Sequence, residues 1–241
     1  MDLISELGFR QDGRKASELR RLHCKMGVLE QTDGSAYLEQ GQTKVLAAVY
    51  GPHEIRRAHR SRAVEDGCLV NCQYSTATFS TGERKQRPRG DRKSHELTQH
   101  LEKTFRAAVL QEQYVHSQLD IFLEVLQSDG GNLAACIKGG SGVKGIVSAA
   151  CCGWASTADG GRPVVDLTNA EEAGDAALLT LALLPRKSEE IVAMELHSRL
   201  HLDHLEALMD SATQACQDVH AVLEAAIQNH VNQVAKDLRP N

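Results

Sequence analysis

The sequence predicts an α+β layer fold with two lobes. Strand-length apolar runs precede stretches of helical period, and that order occurs twice along the chain. The 241 residues suffice for one sizeable core or for two small lobes sharing an interface. Hydrophobic residues at 41% and charged residues at 24% are the balance of a soluble globular chain. No stretch approaches the ~20 apolar residues of a membrane span, so no membrane partner is expected.

Taken in order, Asp33-Gly34 is a turn signal between Met26-Gly27-Val28-Leu29 and Ala36-Tyr37-Leu38-Glu39, which predicts a hairpin. Lys44 to Tyr50 is a mostly apolar run closed by Gly51-Pro52 and suits a buried strand. Cys68 to Tyr74 is another strand candidate. Residues 81–93 are too polar and too punctuated by Gly and Pro for either element and read as a loop. Ser94 is placed to cap the helix that follows, with Glu96 in its first turn, and Leu97, Leu101, Phe105, Ala108 and Val109 keep a helical period. Ile121, Leu123 and Val125 alternate in a strand that ends at Asp129-Gly130-Gly131. Further strands are read at Ile146 to Ala149, Val164 to Leu167, Leu179 to Leu184 and Ile191 to Leu196, before one long helix from Leu202 to Val234.

The seven cysteines are odd in number, and their spacing fits neither a disulfide framework nor a zinc ribbon. They read as reduced, buried thiols. His197, His201 and His204 have no accompanying cysteine and run into the helical pattern, so no metal and no cofactor is expected. The opening residues lack an apolar signal core and carry acids, which predicts a nuclear or cytoplasmic protein.

The net charge of −5 conceals an asymmetry. Between Arg56 and Lys93 there are ten Lys or Arg against four acids, whereas Asp166 to Asp210 holds ten acids against three bases. The densest part comprises Arg84, Lys85, Arg87, Arg89, Arg92 and Lys93. Such a run is either a solvated face or a polyanion site, since phosphate oxygens supply the missing counter-charge and Arg binds them bidentately. No aromatics interleave with these bases, so tracking of a nucleic-acid backbone without sequence preference is the expected mode.

Several motifs in order resemble the RNase PH superfamily: Gly8-Phe9-Arg10-Gln11-Asp12-Gly13-Arg14, Asp33 to Gly41, Tyr50 to Glu54, Val70 to Ser75, Phe79 to Arg84, Gly90 to Ser94, Asp166-Leu167 and His201 to Leu205. The resemblance implies an RNase PH-type fold (ribosomal protein S5 domain 2-like), with an N-terminal lobe over residues 1–145 and a C-terminal lobe over 146–241. It also implies a place in the hetero-hexameric ring of the eukaryotic RNA exosome. The partners would be related ring subunits, cap RNA-binding subunits, a separate hydrolytic nuclease and single-stranded RNA. The six bases from Arg84 to Lys93 would line the RNA path.

The same resemblance implies loss of catalysis. In active relatives an arginine and a hydroxyl hold inorganic phosphate at a helix N-terminus, where Asn132 and Leu133 stand here. Two aspartates serve metal binding or proton transfer in those relatives, where this chain has Glu172 and Leu178. Glu172 is otherwise read as a surface acid. The family continues after Ile137 into an alanine-rich helix; Lys138 to Gly145 is shorter and glycine-rich, and is expected to break the helix and leave part of the core uncovered. Two rival readings stay open: an active phosphate-dependent 3′–5′ exoribonuclease with substitute residues, and a free-standing RNA-binding protein.

Overall fold

The structure is a computed structural model, and it describes residues 3–5, 8–55, 67–82, 91–109, 113–140, 146–155, 161–174, 176–185 and 190–237. Five strands form the first sheet: β1 (Leu22–Met26), β2 (Gly34–Gln40), β3 (Thr43–Glu54), β4 (Leu69–Thr76) and β5 (Ser117–Gln127), in the order β1-β2-β3-β5-β4. Alternation along β3 buries Val45, Ala47 and Val49 on one face, as a half-covered strand requires. β4 and β5 run parallel, and α1 (Arg92–Ala108) makes the crossover between them; the other pairs are antiparallel.

A second antiparallel sheet joins β6 (Ser148–Ala155), β7 (Arg162–Val165), β8 (Ala177–Leu184) and β9 (Glu190–His197) in the order β7-β6-β8-β9. The short α3 (Asn169–Glu172) follows β7, and α4 (Leu202–Asp237) closes the described chain. Between the sheets runs α2 (Asn132–Gly140), in which every residue from Ala134 to Gly140 is buried. One apolar cluster reaches from Leu38, Val45 and Ile121 of the first sheet, through Ala135 and Ile137 of α2, to Ala149 and Ala182 of the second.

Four local expectations are corrected. The first strand lies at Leu22–Met26, not Met26–Leu29, because Gly27 takes a left-handed φ of 65° and turns the chain away. β3 does not stop at Gly51-Pro52; a register shift between Tyr50 and His53 absorbs the proline and pairing resumes at His53. α1 starts at Arg92, so Ser94 is a helical residue and Glu96 forms an ion pair with Arg92 at 2.9 Å. Lys138, Gly139 and Gly140 are helical and buried, whereas residues 141–145 lie outside the described residues. Here packing overrides propensity. A Cβ on Gly140 would meet the Phe105 ring at 2.4 Å, so glycine permits the close approach of α1 and α2.

Candidate functional site

Segments distant in sequence meet around Asp166. This residue follows β7 with a left-handed φ of 57° and is 1% exposed. Its carboxylate accepts from the Arg20 backbone N–H (2.8 Å), Arg20 Nη2 (2.7 Å) and Gln40 Nε2 (2.6 Å). Burial alone would raise its pKa, but the hydrogen bonds and charge of Arg20 outweigh burial and hold it below the usual value. The Lys138 ammonium reaches the same group of side chains from α2 and donates to Gln40 Oε1 at 2.6 Å; burial pushes its pKa down. Beside it, Arg10 forms a two-pronged pair with Glu171 and donates to the carbonyls of Val165 (2.5 Å) and Asp166 (2.9 Å).

This scaffold sets the turn that leads into α2. Arg20 Nη1 donates to the Asp129 carbonyl at 2.5 Å and Nη2 to the Gly130 carbonyl at 3.2 Å. Gly130 (φ 83°) lies so close to Leu167–Asn169 that an added Cβ would come within 2.7 Å of backbone there, which brings α3 against the start of α2. As a result Glu172 Oε1 accepts from the Gly131 backbone N–H at 2.6 Å. Burial pushes the Glu172 carboxyl above its usual value, and the Gly131 N–H and Arg20 pull it back only in part. The helix N-terminus, with its partial positive charge and free N–H groups, therefore already has a carboxylate of the chain on it.

Of the four positions singled out for lost chemistry, Asn132, Leu133 and Glu172 gather here. Asn132 opens α2 and donates from Nδ2 to Ser128 Oγ at 2.7 Å, while its Oδ1 is buried with no hydrogen-bond partner among the described residues. Leu133 packs on the main apolar cluster, and Glu172 lies in the cradle, not on an open surface. Leu178 sits in β8 opposite Gly153 and His197 and packs on that same cluster. Of the basic positions, Arg84, Lys85, Arg87 and Arg89 lie outside the described residues. Arg92 and Lys93 open α1 as exposed residues, and the Arg92 side chain is 91% exposed.

The cysteines are all free thiols, and burial raises them, to about 12 for Cys136, Cys151 and Cys216. His204 stacks on Trp154 with ring centroids 4.3 Å apart, and His197 pairs with Glu195 at 3.0 Å. Among the described residues no three His, Cys, Asp or Glu side chains gather as a metal site would require. Sequence reasoning passes over Arg20, Gln40 and Lys138. Gln40 leaves a signal only as a member of the Asp33 to Gly41 motif, and Lys138 as a charge that follows the apolar run beginning at Leu133.

Comparison with known proteins fits this architecture. The chain is 48% identical to the human protein named exosome complex component RRP41 over 243 residues, covering 98% of this chain and 97% of that one. It is 33% identical to exosome complex component Rrp41 of Archaeoglobus fulgidus over 241 residues, covering 96% of this chain and 91% of that one. The crystal structure of rice Rrp46 superposes with a TM-score of 0.75 at 21% identity, over 90% of this chain and 100% of the other, which supports the fold. The profile of the 3′ exoribonuclease family, domain 1, matches residues 18–154. With two sheets and helices arranged in this way and a match of that extent, the chain belongs to the 3′ exoribonuclease family of RNase PH type.

Proposed function

We propose that the chain is a ring subunit of the RNA exosome that guides RNA without cutting it. Its work would be 3′–5′ RNA processing and decay, including rRNA maturation and mRNA turnover. Its partners would be related RNase PH-type subunits in a hetero-hexameric ring, cap RNA-binding subunits and a hydrolytic nuclease. The relatives named as exosome components support the assembly. The bases Arg84, Lys85, Arg87, Arg89, Arg92 and Lys93 would hold single-stranded RNA by its phosphates. A nuclear, nucleolar and cytoplasmic location is part of this reading, and buried free thiols are compatible with such reducing compartments.

The observation that carries the loss of catalysis is Leu133, an apolar side chain packed on the core at the start of α2, beside the Glu172 carboxylate that accepts from the Gly131 amide at 2.6 Å. A phosphate bound there would face that carboxylate. Two unit charges about 4 Å apart repel by about 4 kcal/mol at an effective dielectric of about 20. At ~1.4 kcal/mol per decade, this is a loss of nearly three orders of magnitude in affinity. Leu133 supplies no cation to offset it. One observation favours the rival phosphorolytic reading: burial raises the Glu172 pKa, so a protonated carboxyl would lift the repulsion and serve as a general acid.

The deciding experiment incubates the full chain, alone and with its co-purifying subunits, with 3′-labelled RNA, Mg²⁺ and phosphate. No nucleoside diphosphate should appear at any pH tested, including values acidic enough to protonate a carboxyl whose pKa burial has raised. Phosphate-dependent release that Glu172→Gln abolishes would establish the enzyme instead.

A further inference from the structure

Beyond the α2 N-terminus, a cleft of about 610 Å³ opens between the start of β3, the end of β5 and the segment after β4. That volume falls in the ~300–1,000 Å³ typical of small-molecule sites. Its lining includes Gln42, Lys44, Phe79, Gln127, Ser128 and Asp129. Phe79 is 73% exposed, the most exposed aromatic side chain among the described residues. Its backbone is nevertheless anchored. The Ser128 N–H donates to the Ser80 carbonyl at 2.8 Å, and the Ala77 N–H to the Val125 carbonyl at 2.9 Å. Ser80 and Ala77 are each 4% exposed, so the ring stands on a fixed turn.

The charge of the cleft limits what it takes. Lys44 is the one cation among its described lining residues, and the Asp129 carboxylate, 3.7 Å from Arg20, adds negative charge at its inner end. A phosphate is disfavoured beside that carboxylate. The remaining side-chain polarity comes from neutral amides and hydroxyls: Gln127 Nε2 lies 3.4 Å from Gln42 Oε1, a long contact that a better partner can replace. A flat, neutral ligand with donors and acceptors on its edge and a π-face fits this combination, and an unpaired nucleobase has that chemistry. The chain also runs from Gly82, which lines the cleft, through Glu83 into the basic segment that begins at Arg84.

We propose that this cleft seats one unpaired RNA base, stacked on Phe79 with its edge read by the Gln42 and Gln127 amides. The inference rests on the RNA-guiding reading above and deepens it: binding gains a base-dependent part beside the salt-dependent part.

The test measures anisotropy of a labelled ten-nucleotide adenylate and of the same oligonucleotide made abasic, with identical phosphates, on the full chain. Wild type should bind the natural oligonucleotide roughly tenfold more tightly than the abasic one, the scale of a single base–aromatic stack. Phe79→Ala should close that gap at an unchanged salt slope and unchanged melting temperature, and Phe79→Tyr should restore it. Charge reversal at Arg87, Arg89 and Arg92 should weaken both oligonucleotides alike and lower the salt slope by ~0.7 for every phosphate no longer neutralised. A gap that survives Phe79→Ala overturns the base site and leaves RNA guiding in place. Loss of co-purifying subunits in Phe79→Ala, with the gap intact, assigns Phe79 to a protein interface and equally overturns it. If neither oligonucleotide binds, both readings fall together.

Discussion

Arg10 and Glu171 meet with side-chain exposures of 0% and 4%, and the two residues are 161 positions apart in sequence. A buried pair adds little over apolar residues of equal size, yet removing one member strands the other charge at about 3–5 kcal/mol. Glu171→Leu should therefore lower the melting temperature by roughly 10 °C, at ~2–4 °C per kcal/mol for a chain of this size. The pH dependence has a definite sign. Burial would raise Glu171, but Arg10 and the Thr168 amide outweigh it and hold its pKa below the usual value. The stabilisation is thus complete above the unfolded value of about 4.3 and fades as pH falls through the lower folded one. The gap between wild type and Glu171→Leu should be widest near neutral pH and shrink as the acid range is entered. Melts at both ends of that range with an equal gap would exclude this account. The motif Gly8 to Arg14 is legible in the sequence as a family signature, but its physical role is not. Arg10 bonds the Val165 and Asp166 carbonyls, and Arg14 donates to the Asp166 carbonyl at 3.1 Å, bonds that exist only once the chain has closed.

At the level of elements, periodicity recovers β5, β8 and α4 with small errors at their ends, because their apolar positions repeat at the strand or helix spacing. It fails where a local signal competes with packing. Gly139 and Gly140 have the composition of helix breakers, yet both are helical and buried in α2. Their neighbours differ, and so should their substitutions. A Cβ on Gly139 would sit 3.7 Å from Ala47 Cβ and Val45 Cγ1, ordinary van der Waals distance. Gly139→Ala should then stabilise by up to ~1 kcal/mol, since it adds packing and gains helix propensity. On Gly140 the same atom would meet Phe105 Cζ at 2.4 Å, and that ring is itself 3% exposed with little room to move. Gly140→Ala should destabilise by ~1–3 kcal/mol through overpacking. Denaturant midpoints of the two variants should move in opposite directions; movement in the same direction would mean that α1 and α2 do not approach this closely.

For the molecule as a whole, α2 is the member on which both sheets close, and it carries a charge into the centre. Lys138 is 1% exposed, and its ammonium lies among Gln40, Asp166 and Arg20. The basic segment is visible in the sequence because like charges adjacent in the chain declare themselves. This buried cluster, and the Glu172 carboxylate on an amide 41 residues away, are not, since each depends on bonds between elements. Burial pushes the Lys138 pKa below its ordinary value, so the unfolded chain holds that proton more tightly. From the folded value up to about 10.4 in the unfolded chain, this one group makes stability rise with pH. The buried thiols act in the opposite sense. Cys136, Cys151 and Cys216, raised to about 12, keep their protons in the fold while the unfolded chain gives them up above about pH 8.5. Comparing wild type with Lys138→Met cancels the thiols and isolates the lysine. From neutral pH towards the unfolded value of about 10.4, the difference in urea-derived stability should shift in favour of wild type, as the buried ammonium is relieved of its charge. A difference that stays constant across that range would mean that Lys138 remains protonated at the centre, held by Asp166 strongly enough to cancel the cost of its burial.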